Sequence, residues 1–323
     1  MENEYSAEKI SEIRQHIKTH GYATNNIEPT FYLLSTIIIF FGILYFIYIT
    51  KNYSLLLILL LSLIILRIFM IFHDMCHKSF FHTDEREKGY QGFNMVIARC
   101  LEQWCLFSAD YWADIHSHHH KAHGNTNEYD GTRTVLTSSE YDKLDPVLQT
   151  LYTIGRSPIL FFLLGPIYIY WIRRILNGEW LYLFKYSLWL FLLYKVGSYK
   201  LLFSFILAQY IAGIFGMLLF HLQHQVNIGY WKPIDKDDTL SKENAELLGA
   251  SVQTIPLFLE YFTNGIEYHN IHHLDPGIPS YKTKEVYYQL VEKGFIPDRK
   301  IGYIEEFTSL GHTIFNEKTQ RYE

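Results

Sequence analysis

Cysteine is scarce in this chain, and there is no excess of positive charge. The 323 residues include three cysteines, Cys76, Cys100 and Cys105, which are too few for the disulfide framework of a small secreted protein. The 28 lysines and arginines are outnumbered by 33 aspartates and glutamates, which gives a net charge of −5. We therefore expect no nucleic-acid partner, because nucleic-acid-binding domains are usually basic. Internal repeats, low-complexity stretches and flexible linkers are also absent from the sequence.

Charged residues make up only 19% of the chain, and the hydrophobic residues are clustered. Residues 31–50 form an uncharged run, and a helix of this length spans roughly 30 Å, the hydrocarbon thickness of a bilayer. Residues 53–72 form a second run, interrupted only by Arg67 near its end. Because the connection at 51–52 is so short, the pattern predicts a tight transmembrane hairpin and excludes an ordinary soluble globule.

The later apolar runs are less regular. Residues 201–220 are uncharged, residues 181–194 contain Lys185, and residues 157–172 contain two prolines and a glycine. The histidine clusters before and after these runs must lie on one side of the membrane if they form one site. A fifth crossing at 157–172 would separate them, so we expect a broken interfacial helix there, although it could instead replace 181–194 as the third span. The predicted spans are 31–50, 53–72, about 180–196 and 200–220.

The charges near the spans bear on orientation. Arg173 and Arg174 obey the positive-inside rule if the histidine clusters are cytosolic, whereas Lys51, Lys195 and Lys200 do not. We expect both termini and the histidine clusters in the cytosol. The predicted fold is an all-α integral membrane protein with four transmembrane helices in two hairpins and a cytosolic helical cap that carries the histidines. Its segments are a cytosolic N-terminal amphipathic helix (1–30), hairpin one (31–72), a cytosolic segment with two histidine clusters (73–156), an interfacial broken helix (157–176), hairpin two (177–220) and the cytosolic cap (221–323).

Histidine is abundant, with 16 copies, and three stretches repeat a helical spacing. His73 and His77 are four residues apart, and the pattern His-x-x-His-His occurs at 116–120 and at 269–273. Positions i, i+3 and i+4 of a helix share a face, so each stretch, which we call a histidine box, offers several nitrogens to a metal. His224 follows the last apolar run. The candidate metal ligands are His73, His77, His116, His119, His120, His224, His269, His272 and His273.

The number of these nitrogens predicts two ions rather than one, because a single ion takes only about four to six ligands. Imidazole binds iron, copper, nickel and zinc, so the ligand type does not identify the metal. The zinc-protease motif needs glutamate after its first histidine, and the residue there is Asp74.

Other histidines near the boxes leave alternatives. His118 lies off the shared face of its box, and His123 could replace the last histidine of that box in a shifted frame. His221, one turn before His224, could support the ligands from behind or be the ligand in its place.

With these motifs, the sequence resembles the membrane fatty acid desaturase family over roughly residues 30–290. Trp112, four residues before the second box, also fits the family pattern. The stretches FHLQHQ and HHLDPGIPSY are most similar to the acyl-lipid branch, which includes delta-12 and omega-3 type enzymes. The shared motifs are HDxxH in box one, HxxHH in boxes two and three, and the histidine after the last span.

The resemblance implies an O2-dependent desaturase with two iron ions held mainly by histidines. The family uses dioxygen and two electrons to remove two hydrogens from neighbouring methylenes, which leaves a cis double bond. Acyl chains of membrane lipids are the implied substrates. We expect no catalytic residue beyond the metal ligands. Candidates for supporting the ligands are Asp74, which could orient a ligand imidazole, together with His221 and Trp112.

The electrons must then come from elsewhere. The sequence has no Gly-x-Gly-x-x-Gly motif for a dinucleotide and no His-Pro-Gly-Gly motif for a haem. Cys100 and Cys105 lack the further cysteines that an iron–sulfur cluster needs. A separate small donor, a b-type cytochrome or a ferredoxin, is therefore implied on the cytosolic face.

Two other functions remain open from the sequence. A fatty acid hydroxylase of the same superfamily would share the iron, the oxygen and the histidine boxes. A membrane metal transporter or sensor belongs to another class, but transporters usually place their ligands near the bilayer midplane. Here every box lies at the end of a predicted span or beyond it.

Overall fold

The computed structural model describes residues 4–50, 52–83, 92–128, 135–227 and 230–323. It is mostly helical, and the described part contains four helices that are long and apolar enough to cross a membrane. The expected fold class, a helical integral membrane protein, is confirmed. The four helices are Ile27–Ile49, Leu55–Cys76, Pro158–Leu176 and Trp180–His224.

The N-terminal helix α1 (Ala7–His20) is amphipathic. The side chain of Ser6 caps it by accepting a hydrogen bond from the backbone N–H of Lys9. Its isoleucines, spaced three and four residues apart, share one face and are buried against the C-terminal part of the chain. The helix therefore closes the cap from outside.

Helices α2 (Ile27–Ile49) and α3 (Leu55–Cys76) pack side by side as the first hairpin. Arg67 lies inside α3 and is almost completely buried. Its Nε atom donates to Thr36 Oγ1 of α2 at 2.9 Å, and its guanidinium stacks over the ring of Tyr261. A charge in a membrane helix is costly unless it is paired within the protein, and these contacts account for the position of this arginine.

Helices α4 (Phe93–Cys105) and α5 (Ala109–Ala122) form a second helical hairpin, which packs against α3. Its tip contains Trp104, whose ring lies 4.8 Å from that of Phe40, near the middle of α2. Glu102 stabilises the turn by accepting a hydrogen bond from the backbone N–H of Ala109 and by pairing with Lys185. The segment 73–156 was expected to be cytosolic, and in the structure its middle part packs against the apolar helices.

The segment between box two and the last long helix consists of short helices. Helix α6 (Ser138–Asp142) has a capping box, and α7 (Pro146–Gly155) begins with a proline in its first turn. The predicted broken helix at 157–176 consists of α8, a π-helical turn and α9. Their bounds are Pro158–Ile167, Tyr168–Ile172 and Arg173–Leu176. Its position at the membrane interface stays a prediction, because by length and composition it could also span.

Helix α10 (Trp180–His224) has 45 residues and bends sharply at Gly197 and Ser198. Ser198 has a φ of 55°, outside the helical region, so the two halves are separate helices joined at a kink. Lys200, just after the kink, donates to the backbone carbonyls of Tyr48 and Thr50 at the end of α2. These contacts join the turns of the two predicted hairpins on one side of the molecule.

The described residues after α10 form the cap that covers the ends of α3 and α10. Its helices are α11 (Thr239–Leu248), α12 (Leu257–Thr263), α13 (His269–Leu274), α14 (Ser280–Glu292) and α15 (Tyr303–Ser309). A small sheet, absent from the all-helical prediction, closes the C-terminus with strands β1 (Leu136–Thr137), β2 (Ile314–Asn316) and β3 (Arg321–Tyr322). Strand β2 pairs in parallel with β1 and antiparallel with β3.

Candidate metal centre

Four separate parts of the chain bring their histidines together where α3 and α10 meet the cap. Box one lies at the end of α3, box two on α5, His224 at the end of α10 and box three on α13. On each helix the histidines lie three or four residues apart, so their side chains point to the same side of the helix or to adjacent sides. All nine predicted ligands lie in this cluster, and His123, just past the end of α5, joins them.

The first group of nitrogens comes from His73, His77, His116 and His272, whose ligand atoms lie within 4.8 Å of one another. The Nε2 atoms of His73 and His116 are 2.8 Å apart. His120 belongs beside this group, because its Nε2 lies 3.0 Å from that of His272 and 3.3 Å from that of His116.

The second group comes from His119, His123, His224 and His273, again within 4.8 Å of one another. The Nε2 atoms of His119 and His224 are 3.2 Å apart, and His269 Nε2 lies 3.0 Å from that of His224. The groups are adjacent, since the rings of His120 and His273 stack with centroids 4.3 Å apart. The structure therefore presents two neighbouring clusters, each with five imidazoles.

The arrangement follows from pairs of histidines four residues apart. Box one supplies one such pair to the first group. Box two together with His123, just past the end of α5, supplies two pairs that are offset by three residues. His116 and His120 face the first group, whereas His119 and His123 face the second. His123 was only an alternative in the sequence interpretation, which gave weight to the HxxHH pattern. The i, i+4 relation to His119 is the signal that would have identified it.

The donor set fits metal ions. Two nitrogens that each lie about 2.1 Å from one metal ion, with an angle of about 90° at the ion, are about 3.0 Å apart. The short Nε2–Nε2 distances within each group match this separation. The Nε2 atoms of His77 and His273 are buried and have no hydrogen-bond partner in the described parts of the chain. Such orphaned nitrogens are costly in a protein interior unless they coordinate something.

The protonation state fits as well. Burial lowers the pKa of His77, His116 and His272 well below the ordinary value of 6.5, and neighbouring imidazoles lower it further. The pKa shifts in the same direction, with burial again the largest cause, for His120, His269 and His273. These rings are therefore neutral at physiological pH, which is the form that binds metals.

Asp74 supports the first group from behind. Its side chain is fully buried, and its Oδ1 lies 3.1 Å from Nδ1 of His73. The backbone N–H of Ser280 donates to Asp74 Oδ2 at 2.7 Å, and the Ser280 hydroxyl donates to Oδ1 at 2.5 Å. With the Nε2 of His73 directed into the cluster, its Nδ1–H donates to the carboxylate, which orients the ring. Ser280, at the start of α14, lies within the stretch HHLDPGIPSY, but the sequence did not identify it as a partner of Asp74.

The other two supporting candidates differ in position. The indole of Trp112 stacks on His116, with centroids 4.8 Å apart and planes 16° apart. His221 turns away from both groups, and its Nε2 lies 2.7 Å from the backbone oxygen of Ser309. His118 is exposed on the opposite side of α5. The structure thus favours His224 over His221 at the end of α10.

The fold and the site define a class: an integral membrane enzyme with two adjacent polyhistidine clusters that could hold metal ions, at the ends of its long helices. Residues 50–307 match the family model described as fatty acid desaturase. The chain is 33% identical over 266 residues to a fatty acid desaturase of Bacillus subtilis, covering 77% of this chain and 73% of the relative. It is 21% identical over 234 residues to an sn-1 oleoyl-lipid 12-desaturase of Picosynechococcus, covering 68% and 63%.

The chain therefore belongs to the fatty acid desaturase family, and it is an O2-dependent oxidoreductase. Its substrates are acyl chains, as the family implies. The metal-transporter alternative loses its support, because the match covers three of the four long apolar helices, all the boxes and most of the cap.

Proposed function

We propose that this protein introduces a cis double bond into an acyl chain of a membrane lipid at a diiron centre. The observation that carries the proposal is the pair of adjacent imidazole clusters at the ends of α3 and α10. Metal ligands at the ends of the long helices lie where an acyl chain extends from the bilayer toward the cap. Metal ligands near the bilayer midplane are instead typical of transporters. The relative that acts at position 12 of an oleoyl lipid makes a similar position the first to test.

An apolar cavity below the clusters supports a lipid substrate. It has a volume of about 20 Å³ and lies between α3, the tip of the α4–α5 hairpin, the π-helical turn and α10. Phe69, one turn before His73, lines it and also contacts Trp112. Each methylene moved from water into such surroundings contributes roughly 0.8 kcal/mol. The lining residues are Ile65, Leu66, Phe69, Cys105, Leu106, Tyr170, Gln209, Ala212, Gly213 and Gly216.

The cavity marks a path rather than a ready-made tunnel, since its volume suits about one water-sized group. Tyr170 of the π-helical turn lines the cavity and packs on Gly213 and Gly216 of α10. A Cβ at Gly213 would lie 2.6 Å from the Tyr170 ring, so only glycine permits this approach. We infer that Tyr170 moves when the acyl chain enters.

The metal ligands in this proposal divide by cluster. His73, His77, His116, His120 and His272 would hold one iron, and His119, His123, His224, His269 and His273 the other. When bound, the two irons supply the activation of O2 by two electrons. The protein positions the acyl chain and excludes water. No carboxylate acid–base pair is needed, and Asp74 serves to hold His73 in place.

The orientation and the electron donor are part of the same proposal. We propose that the termini and the histidine clusters face the cytosol and that a separate small donor, a b-type cytochrome or a ferredoxin, docks on that side. The clusters lie under the cap, so electrons would reach them through it.

The test is expression in a host with a simple fatty acid profile, followed by gas chromatography and mass spectrometry of its lipids. We expect a new unsaturated fatty acid that disappears in His272→Ala and remains in His118→Ala. His118 is the control, because it is a histidine within box two that lies on the exposed side of α5, away from both clusters. An alcohol in place of the alkene would favour a hydroxylase. No new product from an iron-loaded protein with a donor present would refute the proposal.

A further inference from the structure

Two short cap helices share an exposed apolar surface. Helix α12 begins with Leu257 and Phe258, which are 80% and 70% exposed. Helix α15 exposes Ile304 and Phe307 at 82% and 76%. We call this surface the interfacial patch. Its members are Leu257, Phe258, Tyr261, Tyr303, Ile304 and Phe307.

The two helices are held together by polar contacts on their inner sides. The backbone N–H of Thr254, just before α12, donates to Glu306 of α15 at 2.9 Å. The Thr254 hydroxyl donates to the backbone carbonyl of Ile301 at 2.7 Å. These contacts hold α12 and α15 beside each other, and the apolar side chains of the patch are exposed on both helices.

The patch lies at the depth of the membrane helices. The guanidinium of Arg67 on α3 is 4.1 Å from the ring of Tyr261 and donates to its backbone carbonyl. Arg67 precedes His73 by six residues, which places α12 about 9 Å along α3 from the cluster, toward the membrane. Gln253 donates to the backbone carbonyl of Leu219, inside α10. The patch thus begins below the ends of both long helices.

The same level exposes apolar side chains of the spans. Phe31 and Leu34 of α2 lie within two turns before Thr36, which accepts from Arg67, and both are more than half exposed. The patch is therefore continuous with the lipid-facing surface of the membrane hairpin. Tyrosines are common at this depth because their rings are apolar and their hydroxyls remain wet. A soluble protein partner would need a surface that stands clear of the lipid.

We propose that the interfacial patch inserts into the leaflet at which α3 and α10 end. The cap then rests on the bilayer at a second place, besides the spans that carry it. Helix α12 leads through residues 264–268 to box three on α13, so this contact anchors the part of the cap that carries three of the candidate ligands. The proposal rests on the membrane embedding of the chain and not on the reaction.

The test uses spin labels at single cysteines of the full chain in vesicles of phosphatidylcholine and phosphatidylglycerol. Cys100 is exposed, whereas Cys76 and Cys105 are buried, so Cys100→Ser supplies the background. The labels are attached in Phe258→Cys and Ile304→Cys. Lys293→Cys is the control, because Lys293 is exposed at the end of α14.

We expect labels at Phe258→Cys and Ile304→Cys to be relaxed more by oxygen than by a water-soluble nickel complex. The label at Lys293→Cys should show the reverse. Patch labels that behave like the control would overturn the proposal and leave the surface to a protein partner.

A measurement without substitutions covers the case in which a variant does not fold. A lipid with a photoreactive group just below its head group is crosslinked to the unaltered chain, and the labelled peptides are identified by mass spectrometry. We expect label on the peptides of α12 and α15 and none on the peptide that contains Lys293. Absence of label from both helices, with label on α2 and α3, would overturn the proposal. Neither measurement needs enzyme activity, so its result is independent of the reaction that the protein catalyses.

Discussion

Replacing Asp74 by asparagine should weaken iron binding without removing any ligand. The carboxylate accepts from His73 Nδ1, from the backbone N–H of Ser280 and from the Ser280 hydroxyl, with separations of 3.1, 2.7 and 2.5 Å. In Asp74→Asn one oxygen becomes an NH2 group that cannot accept. Either the His73 ring or the Ser280 backbone N–H then loses its partner in a fully buried place.

The size of the effect follows from that one lost contact. A hydrogen bond to a charged group contributes about 1.5–3 kcal/mol. Loss of a group that orients a metal ligand typically lowers metal affinity about 10- to 100-fold, which is about 1.4–2.7 kcal/mol. The two ranges agree, so we expect an affinity loss of about that size.

The assay is competition between the purified protein and an iron chelator, with iron content measured per chain. Ser79→Ala is a matched control, because the Ser79 hydroxyl donates to the backbone carbonyl of Asp74 at 3.1 Å and does not contact its carboxylate. We expect Ser79→Ala to lower the free energy of unfolding by about 1 kcal/mol and to leave iron affinity unchanged. Equal iron affinity in Asp74→Asn and the parent, or an equal loss in the control, would refute the reasoning.

Three further predictions follow from the site. His123→Ala should lose iron, whereas His118→Ala, on the exposed side of α5, should not; equal iron content in both would exclude His123 as a ligand. Gly213→Ala should lower the free energy of unfolding by about 1–3 kcal/mol, because its Cβ would meet the Tyr170 ring at 2.6 Å; Tyr170→Ala in the same chain should recover part of that loss in a urea titration. Burial lowers the pKa of His116, His120, His272 and His273 below 6.5, so the unfolded chain takes up more protons just below that pH. The iron-free protein should then lose stability as the pH falls through and below 6.5 and vary little above it; urea midpoints that do not change with pH would contradict this.

Local patterns gave the membrane helices and most of the site. The apolar runs at 31–50 and 53–72 became α2 and α3 with shifts of a few residues, because a segment without charges can satisfy its backbone in a bilayer only as a helix. The i, i+3 and i+4 spacing of the histidines placed each box on one helical face. The absence of charge and the histidine spacing can each be read from a single segment of the chain.

Packing decided what single segments could not. The division of box two between the clusters depends on which helix lies opposite each face of α5, as do the inclusion of His123 and the turning away of His221. The contact of Asp74 with Ser280 joins residues 206 positions apart. The position of Trp104 beside Phe40 and the small C-terminal sheet likewise depend on distant partners.

The amino-acid sequence alone thus determined the membrane helices, the histidine faces and the family resemblance, because helical periodicity sets the direction of each side chain within its own segment. Tertiary structure alone decided which imidazoles share a cluster and which groups hold them in place. The physical reason is that those distances are set by the packing of helices far apart in the chain, and no local period encodes that packing.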